Sequence, residues 1–377
     1  MLLRILPWLI IIPPLAYALI SIWCARRYFS RRAAPTVHRP PISILKPVKG
    51  MDADSYDNFA SFCRQNYPEY QIIFAVAADD DPAIGVIRRI IADFPDLDIQ
   101  LAIDSRIHGP NFKVCNLMNA YPRARHDIII ICDSDIRVGR NYLEEVAAPF
   151  ARREVGLVTS LYRSPRVPGM AAAIEAMGFT AEMVPNVMVA LQLEGLSFAL
   201  GASMAVRREA LEKIGGLAAL VDYLADDYQL GNKIHRAGYK LELSGYFVES
   251  EMHSERLATI LSRQLRWART MRVSRPGGYL ASGITQAFPM ALLALAVGCP
   301  SWNGLAAAAA LYAVRSITVT TYSRSYIRDG IFPRWLWLLP IRDMFAFATW
   351  ALSFLGNRVS WRGHRFRLVA DGKIVPD

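Results

Sequence analysis

The chain has 377 residues, of which 53% are aliphatic, aromatic or sulfur-bearing and 20% charged, a balance that excludes disorder and fibrous repeats. Its mean hydropathy of +0.20 is high for a soluble enzyme and too low for a chain built only of membrane spans, which predicts a soluble domain with a few apolar segments. The net charge of +10 admits nucleic acid, an anionic membrane or an anionic substrate, but much of it flanks apolar runs: Arg26, Arg27, Arg31, Arg32 and Arg39 follow the first, and Arg358, Arg362, Arg365 and Arg367 the last. That placement selects the membrane and speaks against nucleic acid.

Residues 5–24 form one uninterrupted apolar stretch, ~30 Å long as a helix and sufficient to span a bilayer. A cleaved signal peptide is the competing reading, helped by Ala16-Tyr17-Ala18. Apolar residues run on past that triplet and the basic cluster comes after, so residues 1–27 read as an anchor with the following domain in the cytoplasm. From residue 40 the texture changes. Runs at 42–45, 72–76, 99–103 and 128–131 read as strands buried on both faces, with helices at 56–66, 83–94 and 112–120 between them. This alternation predicts an α/β domain over 40–275 with a Rossmann-like, mostly parallel sheet, whose ligands bind at the carboxyl ends of the strands. Beyond Arg275, residues 284–298 and 305–321 are candidate spans. A third run, 335–355, is interrupted by Arg342-Asp343 and is expected to be re-entrant or interfacial. Membrane segments thus fill 276–357, and 358–377 reads as a basic cytoplasmic tail. The five cysteines (Cys24, Cys63, Cys115, Cys132 and Cys299) form no CxxC pair, which argues against structural zinc or disulfides and fits a reducing compartment.

The strongest local signal is Asp133-Ser134-Asp135 after the 128–131 run. An extended backbone would put both carboxylates on one side, where they can share a divalent cation with a diphosphate; a helix-capping turn is the plainer alternative. Asp79-Asp80-Asp81-Pro82 closes an earlier strand in the same way, one carboxylate suited to a base or ribose and the others to capping. Lys113 starts a helix between these sites and either meets a phosphate or pairs with an aspartate. Asp226-Asp227 is either a helix cap or contains a general base for an acceptor hydroxyl. Arg263 and Arg266 lie one turn apart, suited to clamping an anionic leaving group, with Trp267 as a wall of the site or an interfacial anchor. An ordinary juxtamembrane basic helix is the alternative, and Arg269, Arg272 and Arg275 fit it. No GxGxxG, Walker, HExxH or GxSxG pattern occurs. His108, His126, His235 and His253 lack metal-ligand spacing and read as surface or capping residues.

Taken in order, these pieces resemble glycosyltransferases of families 2 and 21, the nearer being family 21, the ceramide glucosyltransferase group. The chain looks equally similar to bacterial hopanoid-modifying glycosyltransferases. The resemblance is carried by Leu45-Lys46-Pro47-Val48-Lys49-Gly50, Asp80-Asp81-Pro82-Ala83-Ile84, Lys113 with Asn116-Leu117-Met118, Ile131 to Val138, Gly215-Gly216-Leu217, Asp227-Tyr228 and Arg263-xx-Arg266-Trp267. It implies a GT-A fold and an inverting transfer of glucose or N-acetylglucosamine from a UDP-sugar to a hydroxyl of a membrane lipid at the cytoplasmic face. It further implies that Asp79, Asp81, Lys113 and Asp133 bind the nucleotide-sugar and that Asp133 and Asp135 hold Mg²⁺ or Mn²⁺. Asp227 would be the base, with Arg263, Arg266 and Trp267 near diphosphate and acceptor. Two departures stand out: ceramide enzymes carry Gly where this chain has Asp135, and a His-Pro where it has Glu182-Met183-Val184-Pro185. A family 2 polysaccharide synthase would need more spans than the two or three visible here. A non-catalytic scaffold would have no use for the intact set of Asp81, Asp133, Asp227 and Arg266.

Overall fold

A computed structural model describes residues 2–30, 38–252, 256–298, 301–329, 331, 333–361 and 363–377; Arg31, Arg32, His253, Cys299 and Arg362 lie outside them. The first apolar stretch is a helix, α1 (Leu2–Phe29), with Ile5, Leu6, Trp8, Leu9, Ile12, Leu19, Ile20 and Trp23 turned outward. A helix that presents large apolar side chains to its surroundings over this length needs lipid around it. Its last turn is not a free tether. Cys24 and Ala25 are fully buried in the core below the sheet, and the Tyr28 hydroxyl donates to the Leu243 carbonyl at 2.8 Å.

The expected strands form as β1 (Ile42–Val48), β2 (Tyr70–Val76), β3 (Asp98–Ile103) and β4 (Ile128–Cys132), with α2 (Ser55–Cys63), α3 (Ala83–Asp93) and α4 (Phe112–Ala120) between them. All seven residues of β1, Ser43 and Lys46 among them, and all five of the apolar run β4 are buried. Alternate side chains serve opposite layers: Ile129 and Ile131 join Leu45 and Ile73 on one face, Ile128 and Ile130 join Ile44 and Ile72 on the other. Pro47, which cannot donate to a ladder, falls beyond the stretch of β1 that pairs with β4, where one edge of the strand is open.

Four further strands, β5 (Ile136–Arg137), β6 (Val155–Arg163), β7 (Ser203–Arg207) and β8 (Lys240–Ser250), complete an eight-stranded sheet of order β3-β2-β1-β4-β7-β6-β8-β5. The pairs β1–β2, β2–β3, β1–β4 and β6–β8 are parallel; β4–β7, β6–β7 and β5–β8 are antiparallel. The mostly parallel expectation therefore holds for the first half, and the whole sheet is mixed because β7 runs back between β4 and β6.

Among the described residues, three helices are long and apolar enough to cross a membrane: Ile5–Phe29, Met170–Leu193 and Trp302–Ile327. The second was read as part of the soluble domain; two thirds of its most apolar window is buried inside the protein, and it passes through a π-helical turn at Phe179–Met183. The span expected at 284–298 is instead a pair of helical pieces, Pro276–Thr285 and Ala287–Gly298, bent by 54°. The 335–355 run contains a helix of 15 residues, Leu339–Ser353, ~22 Å long and shorter than a bilayer core. Its Arg342 and Asp343 are buried and paired, Arg342 with Glu182 at 3.0 Å and Asp343 with Arg315 at 2.7 Å. Inside the bundle these charges are matched rather than exposed to lipid.

The expected basic tail is a folded element. β9 (Arg358–Trp361), β10 (His364–Leu368) and β11 (Ile374–Pro376) make an antiparallel sheet of order β11-β10-β9. Val359, Phe366, Leu368 and Ile374 close over Leu224, while Arg365 and Arg367 point away, so an alternating strand pattern hides within a cationic stretch.

Candidate active site

β4 ends at Cys132, and Asp133 to Asp135 form a turn rather than an extension of the strand. The two carboxylates are thus presented by turn geometry, not by strand alternation. Lys46, fully buried on β1, fixes this turn from below: its ammonium donates to the Asp133 carbonyl at 2.9 Å and lies 3.7 Å from the Phe62 ring centroid. Burial pushes the Lys46 pKa down. Burial also raises the Asp135 pKa, to about 6, and the neighbouring Asp133 charge adds to it.

α4 delivers the opposing charge. Asn111 caps it, the side-chain oxygen accepting from Val114 N at 3.0 Å, while its amide donates to the Tyr223 carbonyl at 2.7 Å. That second bond ties the start of α4 to the loop before the helix Asp226–Arg236. Lys113 is left between two acidic turns, 2.8 Å from Asp133 Oδ1 and 3.5 Å from Asp226 Oδ2, with 11% of its side chain exposed. Burial works against its charge, but Asp133, Asp226 and Asp227 outweigh that and raise its pKa. Of the two alternatives for Lys113, the pairing with aspartates is the one the structure shows.

Asp226 is buried against Lys113, whereas Asp227 is half-buried and accepts from Tyr228 N at 2.7 Å. Gly201 makes room for it, since a Cβ there would lie 2.8 Å from Asp227 Oδ2. Burial first, then repulsion from Asp226, lifts the Asp227 pKa to about 6, with Lys113 pulling the other way. Tyr162 on β6 lies within electrostatic reach of the same group. Burial raises its phenol pKa, and the charges of Asp227, Asp133 and Asp135 add to the effect.

The other predicted residues are placed differently. Asp81 uses both carboxylate oxygens on backbone, accepting from Gly50 N at 2.9 Å and Ala83 N at 2.9 Å, which links the end of β1 to the start of α3. Gly50 adopts φ +73° at this junction, a conformation that favours glycine. Asp79 and Asp80 stand exposed in the turn after β2. On the helix Leu257–Ser274, Arg263 makes a two-bond pair with the buried Glu175, at 2.8 Å and 2.6 Å. Arg266 lies 6.0 Å from the Trp267 ring, which is 38% exposed.

Asp133 and Asp135 offer two hard oxygen donors that repel each other, a pairing suited to Mg²⁺ or Mn²⁺. Among the described residues no group of three or more His, Cys, Asp or Glu side chains could hold a metal ion by itself.

Lys46, Asn111, Tyr162 and Glu175 were assigned no role in the sequence reading. Asn111 carries a visible signal, an Asn immediately ahead of a helical run. The other three acquire their meaning only from partners far away in the chain.

The C-terminal sheet braces this region. Ile374 N donates to the Asp222 carbonyl at 2.8 Å, Tyr223 bridges to Lys373, and Gln229 donates to the Asp371 carbonyl at 3.2 Å. His364 packs on Phe112, next to Lys113, with ring centroids 4.8 Å apart.

Among solved structures, the chain resembles a mannosyltransferase from Pyrobaculum calidifontis in complex with GDP-Man and Mn²⁺. The TM-score is 0.56 at 17% identity, over 94% of this chain and 99% of that one, a likeness that shows the fold, of GT-A type. Among curated relatives it is similar to ceramide glucosyltransferase 3 of Caenorhabditis elegans, 26% identical over 89% of this chain and 74% of the relative. It is also similar to ceramide glucosyltransferase 1 of the same organism, 27% identical over 63% of this chain and 51% of that one. The model of glycosyl transferase family 21 matches residues 6–374, from the first helix through both acidic turns into β11, and the chain belongs to that family.

Proposed function

We propose that this family 21 glycosyltransferase transfers a hexose, glucose or N-acetylglucosamine, from a UDP-sugar to a hydroxyl of a membrane lipid at the cytoplasmic face of a cell membrane. The observation that carries the reading is Lys113 held between Asp133 and Asp226 at the carboxyl ends of the strands, in a chain whose α1 presents apolar side chains that require lipid. The names of the curated relatives support a ceramide-type acceptor; a hopanoid is the alternative lipid.

In this reading Asp227 takes the proton of the acceptor hydroxyl as its oxygen bonds to the anomeric carbon from the face opposite the nucleotide. The bond to the UDP oxygen breaks, the configuration inverts, and the electron pair leaves on the diphosphate. A pKa of about 6 leaves Asp227 ionised at neutral pH yet more basic than an ordinary aspartate, which suits a general base. Lys113, kept cationic by its neighbours, supplies positive charge where the leaving group becomes more negative. Asp133 and Asp135 would hold Mg²⁺ or Mn²⁺, whose charge would offset that of the diphosphate; the mannosyltransferase neighbour was solved with Mn²⁺. Arg266 and Trp267 are assigned to the diphosphate and acceptor side, and Asp79 and Asp81 to the nucleoside end.

The test is a transfer assay on protein purified in detergent. UDP-glucose and UDP-N-acetylglucosamine are offered to ceramide and to a polyhydroxylated hopanoid, with and without Mg²⁺ or Mn²⁺. A glycolipid from one pair establishes donor and acceptor together. UDP release without a lipid product rejects the acceptors tried, and absence of both turnover and UDP binding rejects the transferase reading.

A further inference from the structure

The helix that carries Glu175 touches the reaction region on two sides. Glu175 is 5% exposed on Met170–Gly178, within the apolar stretch Met170–Leu193, whose only acids are Glu175 and Glu182. Its Oε1 accepts from Arg263 Nε at 2.8 Å and its Oε2 from Arg263 Nη2 at 2.6 Å. One turn further, Phe179 packs edge-on against Tyr162, with ring centroids 4.6 Å apart. Tyr162 is the phenol that feels Asp227, Asp133 and Asp135. One segment therefore contacts both Tyr162 on β6 and the helix Leu257–Ser274.

The form of the pair matters. Two parallel hydrogen bonds between planar groups fix orientation as well as distance, which one ammonium contact would not do. Arg266 and Trp267 follow Arg263 by three and four residues and share its face of the helix, so gripping Arg263 sets the direction in which both point. The guanidinium edge that Glu175 occupies is the one a clamp would present to a phosphate.

We propose that Glu175 is a positioning residue for sugar transfer, acting through Arg263 to hold Arg266 and Trp267 in register with the acidic group, and that Arg263 serves this grip rather than the diphosphate. The proposal rests on the reading of Leu257–Ser274 as part of the transferase site. Its departure from the sequence expectation is specific: of the two arginines taken as a clamp, the first is a strut.

The experiment compares Glu175→Gln, Arg263→Gln and the double variant Glu175→Gln/Arg263→Gln in the full chain in detergent. It measures kcat, KM for the UDP-sugar, UDP affinity, and hydrogen exchange across 257–274. Each single variant is expected to lower kcat at least tenfold, with KM for the UDP-sugar and UDP affinity within twofold of the parent. The double variant should be no worse than the weaker single, because both remove one interaction. Exchange across 257–274 should rise in Glu175→Gln whether or not the protein turns over. Full activity of Glu175→Gln would overturn the proposal. So would a tenfold loss of UDP affinity confined to the Arg263 variants, which would make Arg263 a diphosphate ligand. Should Glu175→Gln not accumulate, Glu175→Asp keeps the charge but withdraws it by one methylene, and the same kcat loss is expected. A parent protein that transfers no sugar would reject the functional reading, while unchanged exchange in Glu175→Gln would separately reject the grip.

Discussion

Replacing Lys113 with methionine removes the cation between the two acidic turns and keeps an unbranched chain of similar length. At an effective dielectric constant of ~20, unit charges 2.8 and 3.5 Å apart attract by ~6 and ~5 kcal/mol. Desolvation of the ammonium cancels much of this, and breaking a buried pair from one side costs a net ~3–5 kcal/mol. The Asp133 side chain is 37% exposed and screened by water, which places the expectation near the lower end, ~3 kcal/mol. The second consequence is chemical. Lys113 holds the Asp227 pKa down against burial and Asp226, so its loss moves that pKa upward from about 6. With Asp227 as the proposed base, its protonation below about pH 6 should lower kcat/KM in the parent, and in Lys113→Met the acid limb should shift to higher pH, one unit corresponding to ~1.4 kcal/mol. Asp135 titrates in the same range, but the lysine acting on it is Lys46, so a moved limb reports on Asp227. The assay is the pH dependence of kcat/KM for the UDP-sugar together with thermal unfolding in detergent. An acid limb that stays in place, with an unchanged melting temperature, would refute the assignment of Lys113 as the shared counter-ion.

Asp227→Asn should lower transfer at least a hundredfold while UDP affinity stays within a few-fold, and normal turnover would remove Asp227 from the base role. Asp133→Ala should weaken UDP binding in the presence of Mg²⁺ more than in its absence; equal affinities in both conditions, matching the parent, would contradict a metal role. Gly201→Ala puts a methyl 2.8 Å from Asp227 Oδ2, so the carboxylate must shift by a few tenths of an ångström. We expect kcat to fall ~10-fold or more with UDP affinity retained, since misplacement of a reacting group acts on the chemical step.

The first half of the domain was legible because parallel strands covered on both faces are nearly continuous apolar runs, as in Ile128-Ile129-Ile130-Ile131. β7, Ser203-Met204-Ala205-Val206-Arg207, has no such run, and its antiparallel insertion follows from pairing that no local pattern announces. The acidic turns could be found because clustered carboxylates after buried strands are conspicuous. Their mutual arrangement could not, since it depends on Lys113 reaching both and on Asn111 fastening one loop to the other. Met170–Leu193 was hidden by its two acids, which look soluble until Arg263 and Arg342 are seen to match them. In the C-terminal sheet, arginines alternate with the buried residues, and charge masked the period of two.

Ile374 donates to the carbonyl of Asp222, and Lys373 bridges Tyr223, so the loop ahead of Asp226 and Asp227 is steadied by a segment synthesised far later. At about 5–20 residues per second the ribosome needs on the order of ten seconds to travel from one to the other. During that interval the nascent domain can form its parallel strands and anchor helix, but the loop that carries its acids lacks the brace. Support for this loop therefore waits until translation has passed residue 374, and a message broken between these two points yields a protein with its acidic residues present and their brace missing.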